Sequence, residues 1–461
     1  MDVKTNGNIS FWYADIGGIP APRSPLPGDV EADVCIVGAG YTGLWTAYYL
    51  RKADPSIRIV MVEREFAGFG ASGRNGGWLS GGFWWSREKY LKTSTRGGVV
   101  DMQRAMAGTV DEVIAVAQAE GIDADIVRAD NLNVAVNKPQ LDRARAEYET
   151  MLQWEMPSER VEMLDARQTT ARINIRNAQG AFVIRDMARV QPAKLVRGLA
   201  EAVERLGVPI YEQTEVTRIE KGRVTTNRGT VRAPLIIRAT EGFTPGLPGY
   251  ERAILPLNSA QIITEPLPPS LWDEIGWKGH ELLGDYAHAY CYAQRTREGR
   301  ITMGGRGVPY RFGSKTDVRG QTQQATIDKL KAILDRLLPQ ASGARIDHAW
   351  CGVLGVPRDW CTSVGLDPAT GIGWAGGYVG LGVSSSNLAG RTLSDLVLRR
   401  DTELTRLPWV NRTVAPWEPE PLRWLGVHSM YQLYRIADER EEAGLGHTSR
   451  LAHIADRITG H

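Results

Sequence analysis

Asp33-Val-Cys-Ile-Val-Gly-Ala-Gly-Tyr-Thr-Gly43 is the stretch on which the reading of this chain turns. An apolar run opens into Gly38, Gly40 and Gly43, and the residues from Thr42 to Lys52 read as a helix. Arg58 to Glu63 then reads as a second strand, so strand, glycine turn, helix and strand form a βαβ unit with a parallel pair. In such a turn the first glycine permits the bend and the second lets backbone approach a pyrophosphate. The third allows close helix–strand packing, and the helix N-terminus faces the phosphates. Glu63 stands 20 residues after Gly43, where a carboxylate accepts hydrogen bonds from ribose hydroxyls. An acid in place of an arginine argues against a ribose 2′-phosphate. The fingerprint alone does not separate NAD from FAD.

Outward from this unit, Phe69-Gly-Ala-Ser-Gly-Arg-Asn-Gly-Gly77 follows the second strand with several small residues and one cation. Its amides, Ser72 and Arg74 suit a pyrophosphate or the edge of an isoalloxazine. The spacing predicts helices over 101–120 and 139–153, and a third from Pro192, where Leu195, Val196, Leu199 and Val203 form one stripe. Strands are expected over 208–211 and 235–239, joining the first sheet from far away in sequence. From about 245 to 346 the texture changes to longer strands interrupted by a helix over 325–338.

The expected class is therefore α/β: a discontinuous Rossmann-like cofactor domain with an inserted, mainly antiparallel α+β substrate domain and a helical C-terminal extension. The expected division is an N-terminal extension over 1–30, a cofactor domain over 31–90, 155–244 and 350–400, and a helical segment over 91–154. A substrate domain over 245–349 and the extension over 401–461 complete it.

Composition narrows the classes. Lysine plus arginine number 55 against 53 acids, so the net charge of +2 gives no basic footprint for nucleic acid. Four cysteines without a CxxC pair exclude a secreted disulfide framework and give no zinc signature, which fits a reducing cytoplasm. The uncharged runs 34–50 and 368–390 are too short or too rich in glycine for lipid-facing helices, so no membrane span and no metal site are expected. The excess lies in 50 glycines and 14 tryptophans, and the glycines concentrate in 38–43, 68–82 and 371–390. Close backbone approach to a large ligand explains that distribution.

With the GASGRNGG loop the sequence resembles the FAD-dependent amine and amino acid oxidases of the D-amino acid oxidase/sarcosine oxidase superfamily, especially gamma-glutamylputrescine oxidase-like members. The resemblance covers most of the chain, from about residue 11 to 400, and includes Val190-Gln-Pro192, Ala239-Thr240, Leu255-Pro-Leu257, Arg300-Ile-Thr-Met-Gly-Gly305 and Gly377-Tyr-Val-Gly-Leu-Gly382. It implies FAD held by Gly38, Gly40, Tyr41, Thr42, Gly43, Glu63, Arg64, Gly70, Ala71, Ser72, Arg74, Asn75, Gly76 and Gly77. Val216, Thr240, Gly380, Leu381, Gly382 and Ser384 would complete the contact, Ser384 at a helix N-terminus that stabilises negative charge near the flavin N1–C2=O locus.

Cys351 lies 26 residues before Gly377, the spacing at which sarcosine oxidase-like relatives tether the flavin covalently; gamma-glutamylputrescine oxidase-like sequences place glycine there. Relatives with an oxygen-activating lysine carry it in the strand matching 300–305, which here offers Ile301, Thr302 and Met303. The implied activity is hydride removal from the carbon of a small amine or amino acid, with the imine hydrolysed and electrons passed to O2 to give H2O2. A dehydrogenase using another acceptor, a flavin monooxygenase and a redox-silent flavoprotein stay open. Candidate catalytic or substrate-contacting residues are Trp78, His288, Tyr290 and Arg306, with Phe83, Trp84, Trp85 and Tyr292 as further aromatics. Arg295, Arg297 and Arg306 are candidates for a carboxylate clamp.

Overall fold

Strand Val34–Val37 lies between Ile59–Val62 and Leu235–Arg238 and runs parallel to both. Every residue of the first two strands is buried, the pattern of a parallel sheet covered on both faces. Ile210–Tyr211 extends the sheet on one side and Ile372–Gly376 on the other; antiparallel Ser363–Asp367 completes six strands. The sheet is thus collected from widely separated parts of the chain, as the α/β reading expects. The computed structural model describes residues 3–306, 310–316 and 319–459, the Arg306 side chain excepted.

Helices Tyr41–Ala53 and Gly382–Val397 pack side by side over this sheet, and a Cβ at Gly390 would lie 2.6 Å from that of Trp45. Helix Pro192–Arg205 begins at a capping Gln191, whose side chain accepts from the Lys194 amide at 2.8 Å. Leu195, Val196, Leu199 and Val203 are all buried, each contributing roughly 2 kcal/mol by removal from water.

Val216–Glu220, Arg223–Thr226, Thr230–Arg232 and Val30–Glu31 form a small four-stranded sheet, and a ten-stranded sheet carries the other strands, in the order Thr5–Asn6, Ile346–Val356, Leu255–Thr264, Ile301–Arg306, Tyr292–Arg295, Leu282–Asp285, Val127–Ala135, Gly180–Arg189 and Trp78–Leu79. Val161–Asp165 pairs beside Gly180–Arg189, off that path. Here the structure departs from the sequence-based division. The segment 91–154, expected to be helical, holds strand Val127–Ala135 between helices Arg96–Ala119 and Lys138–Gln153. Its alternation is broken by a register shift between Ala129 and Asn131, and Asn131 is fully buried, donating from Nδ2 to the Leu282 carbonyl at 2.8 Å. Val161–Asp165, Gly180–Arg189 and, from Trp350 onward, strand Ile346–Val356, expected with the cofactor domain, also pair here. The pairing of Val127–Ala135 with Leu282–Asp285 is parallel, so this sheet is mixed.

Beyond Arg400 the chain packs back onto the body. Trp409 is fully buried, and Trp417 donates from Nε1 to the Val356 carbonyl at 2.7 Å. Helices Leu422–Glu442 and Arg450–Thr459 follow. Among the described residues no helix is long and apolar enough to cross a membrane.

Candidate active site

Residues of all three sheets line a cavity of about 730 Å3. At one end lies the glycine turn: Gly38 has φ +104°, and a Cβ there would meet the Ala239 carbonyl oxygen at 2.6 Å. A Cβ at Gly43 would collide with the Gly38 carbonyl oxygen, so the third glycine serves helix–strand packing and does not itself line the cavity. The amide of Tyr41 donates to Ser72 Oγ at 2.9 Å, tying the helix start to the second glycine loop. Glu63 accepts from the amides of Ala39 at 2.9 Å and Glu65 at 3.0 Å, which fixes its carboxylate on the cavity wall. Burial raises its pKa, opposed by those two amides.

Gly38, Gly40, Tyr41, Thr42, Glu63, Arg64, Gly70, Ala71, Ser72, Arg74, Asn75, Gly76, Val216, Thr240, Gly380 and Gly382 all border this one space, as do Trp78, His288 and Tyr290. The N-termini of helices Tyr41–Ala53 and Gly382–Val397 both open onto it, so two helix ends present positive potential there. On the wall, Ser386 Oγ and Gln261 Oε1 are buried with no hydrogen-bond partner among the described residues. A polar heterocycle would satisfy them. A cavity of this volume lined by glycine backbone, a carboxylate and two helix N-termini fits a flavin dinucleotide.

Several expected residues stand elsewhere. Cys351 is buried and does not line the cavity, its Sγ 3.2 Å from the Gln321 carbonyl, whereas the next residue, Gly352, does. Leu381 belongs to the hydrophobic core, and Ser384 Oγ donates to the carbonyls of Ser80 at 2.5 Å and Leu381 at 3.2 Å. The serine of this helix that reaches the cavity is Ser386, one half-turn further on. Gly77 packs against the Val190 carbonyl and the Gln294 side chain. Trp85 is core, its Nε1 donating to the Tyr378 carbonyl at 3.3 Å. Arg295 lies 4.1 Å from the Trp272 ring centroid and Arg297 pairs with Asp125 at 2.8 Å, so neither serves the cavity. The Arg306 side chain is outside the described residues.

The structure adds groups that the sequence reading missed. Buried Glu241 accepts from the amides of Gly377 at 2.9 Å, Tyr378 at 3.3 Å and Gly355, pinning the C-terminal glycine turn. Arg87 lies 5.1 Å from the Phe83 ring centroid and donates from Nε and Nη2 to Gln103 Oε1 at 3.2 and 2.7 Å. Among the described residues no carboxylate pairs with it, and burial lowers its pKa to about 10. Glu147 accepts from the Tyr286 hydroxyl at 2.7 Å; burial raises its pKa, and the charge of Arg87 opposes that shift. Arg87, Glu147 and Tyr286 all border the cavity beside Trp78, Trp84 and Tyr292. Gly76 and Gly304 leave room for the Tyr292 ring, since a Cβ at Gly76 would come within 2.7 Å of it and one at Gly304 would collide. The Tyr292 hydroxyl is 2.8 Å from Ser259 Oγ.

The profile of the DAO family, described as FAD dependent oxidoreductase, matches residues 33–396. The chain belongs to this family of FAD-dependent oxidoreductases. It is 30% identical over 407 residues to gamma-glutamylputrescine oxidoreductase of Escherichia coli (strain K12), covering 86% of this chain and 90% of that one. Sarcosine oxidase subunit beta of Rhodobacter capsulatus is 23% identical over 394 residues, covering 79% of this chain and 86% of that one. Among solved structures, glycine oxidase from Geobacillus kaustophilus superposes with a TM-score of 0.70 at 22% identity, covering 84% of this chain and all of that chain. The last likeness carries the fold. In this FAD-dependent oxidoreductase the glycine turn, Glu63 and the Gly70 to Gly76 loop border one cavity.

Proposed function

We propose that the protein oxidises the C–N bond of a small amine or amino acid, that the resulting imine hydrolyses to a carbonyl compound, and that FAD is held without a covalent bond. The observation that carries the reading is the pairing, in one cavity, of the dinucleotide cradle with Arg87 and Glu147, a guanidinium and a carboxylate not ion-paired to each other. Charges buried in this way are costly unless a ligand complements them. An ammonium suits Glu147 and a carboxylate suits Arg87. Bound FAD supplies the two-electron acceptor for hydride removal beside nitrogen.

The protein's own part is positional and electrostatic. Ser72, Tyr41 and the N-terminus of helix Tyr41–Ala53 hold the phosphate end, and Glu63 the ribose. The N-terminus of helix Gly382–Val397 favours negative charge at the other end. Trp78, Trp84 and Tyr292 wall the substrate end against water, and Tyr290 and His288 border it.

The family members named as oxidases support O2 as the final acceptor, with H2O2 as product. One observation favours a second reading, a dehydrogenase with a different acceptor: none of the described residues lining the cavity is a lysine. Anaerobic absorbance of the purified flavoprotein, titrated with primary, secondary and cyclic amines and with amino acids, tests the central reading. Bleaching without NAD(P)H is the expected result; a strict NAD(P)H requirement, as for a monooxygenase, overturns it. Peroxide yield against dye reduction on the bleaching substrate separates the two acceptors.

A further inference from the structure

Helix Leu422–Glu442 lies outside the stretch shared with the family, yet one of its faces bears on the cavity wall. Tyr434, Asp438 and Glu441, spaced i, i+4 and i+7, all contact the turn that carries Tyr286, Ala287 and His288. The Tyr434 ring stacks on His288 with centroids 5.8 Å apart at 19°. Asp438 accepts from the amides of His288 at 2.8 Å and Ala289 at 2.9 Å. Glu441, 2% exposed, accepts from Arg143 Nη2 at 2.8 Å, Arg143 Nη1 at 3.2 Å and the Ser449 amide at 3.0 Å, and lies 3.0 Å from His288 Nε2. Arg143 in turn donates to the Tyr286 carbonyl from Nε at 3.0 Å and Nη2 at 2.7 Å.

We infer that the C-terminal helix is part of the substrate site, with Glu441 and Asp438 as positioning residues that hold the 286–289 turn and Arg143 in their binding geometry. The inference rests on the reading of the cavity as the active site. Two consequences for the wall follow. Arg143 Nη1 stands 3.2 Å from His288 Nε2 and is itself a donor, so the hydrogen on Nε2 goes to the Glu441 carboxylate 3.0 Å away. Glu441 also neutralises Arg143, so this wall cation does not compete with Arg87 for an anionic ligand. The helix thereby selects for a ligand bearing an ammonium or a carboxylate at this end, where an uncovered Arg143 would add a second anion site.

The test uses the full-length holoenzyme and the variants Glu441→Gln and Asp438→Asn, with Glu439→Gln as control, since Glu439 pairs with Arg435 on the exposed face. Hydrogen exchange of the peptide spanning 286–291 should quicken by about tenfold or more in Asp438→Asn, while peptides of the six-stranded sheet keep their rates. With the substrate that bleaches the flavin, Glu441→Gln should raise KM about tenfold at unchanged FAD content, with kcat within about threefold of wild type. Unchanged exchange at 286–291 overturns the inference, as does a fall in melting temperature with KM unmoved. Should no amine or amino acid bleach the wild-type flavin, the amine reading falls and the exchange measurement still decides the clamp.

Discussion

Glu241 Oε1 accepts a hydrogen bond from the amide of Gly377 at 2.9 Å, joining the exit of strand Leu235–Arg238 to the glycine turn that opens helix Gly382–Val397. Two parts of the chain that both border the cofactor cradle are thus held by one buried carboxylate. Burial pushes the pKa of Glu241 up to about 7, against the pull of four backbone amides.

A folded-state pKa above the unfolded value favours the protonated form, so this stabilisation is complete below about 4.5 and is lost as pH rises through about 7. Melting temperature should therefore fall across that window. Glu241→Gln, which does not titrate, should flatten the profile recorded by differential scanning calorimetry. A residual slope is expected from Asp285, which burial holds at about 6. Equal slopes in variant and wild type would exclude Glu241 as the source.

Glu63→Ala removes the acceptor that fixes the Ala39 and Glu65 amides and faces the cavity. Loss of a charge-assisted hydrogen bond should weaken FAD binding by about tenfold or more. Flavin absorbance relative to protein after gel filtration reads this directly, and an undiminished ratio would contradict the ribose role.

Cys351 does not line the cavity, its Sγ beside the Gln321 carbonyl. Acid precipitation should accordingly leave a yellow supernatant, and Cys351→Ser should purify with wild-type flavin content. Flavin that stays in the pellet of wild type but not of the variant would establish the tether.

Arg87→Gln and Glu147→Gln separate the two ends of the substrate's charge. The first should raise KM about tenfold for carboxylate-bearing substrates and little for simple amines; the second should raise it for both, through the lost ammonium contact. Steady-state kinetics on one amino acid and one amine of matched length would show the pattern. Identical effects of the two variants on both substrates would remove the assignment.

What could be read from sequence followed the range of the interactions. Gly38, Gly40, Gly43 and Glu63 sit within one βαβ unit, where local spacing dictates geometry, and the structure brings the turn and the acid together. Strand Val127–Ala135 was hidden because a bulge and the buried, satisfied Asn131 erase the alternation that marks a strand. Arg143 and Glu147 sit on a helix whose mixed charge reads as a solvated face; only the mixed sheet and the C-terminal helix turn that face toward the cavity. Ser384 and Ser386 are alike in sequence. The direction of the helix alone gives Ser384 to the Ser80 carbonyl and Ser386 to the cavity wall.

The scattering of the six-stranded sheet along the chain also sets a timetable. Strands Val34–Val37 and Ile59–Val62 leave the ribosome early, yet Ile372–Gly376, which lies beyond Leu235–Arg238 in the same sheet, follows about 300 residues later. At ordinary rates of synthesis that interval is roughly 15 to 60 s, during which two wholly apolar strands lack part of their cover. Helix Gly382–Val397, which supplies part of the cavity wall, comes later still, so the wall is complete only after nearly the whole chain has been made.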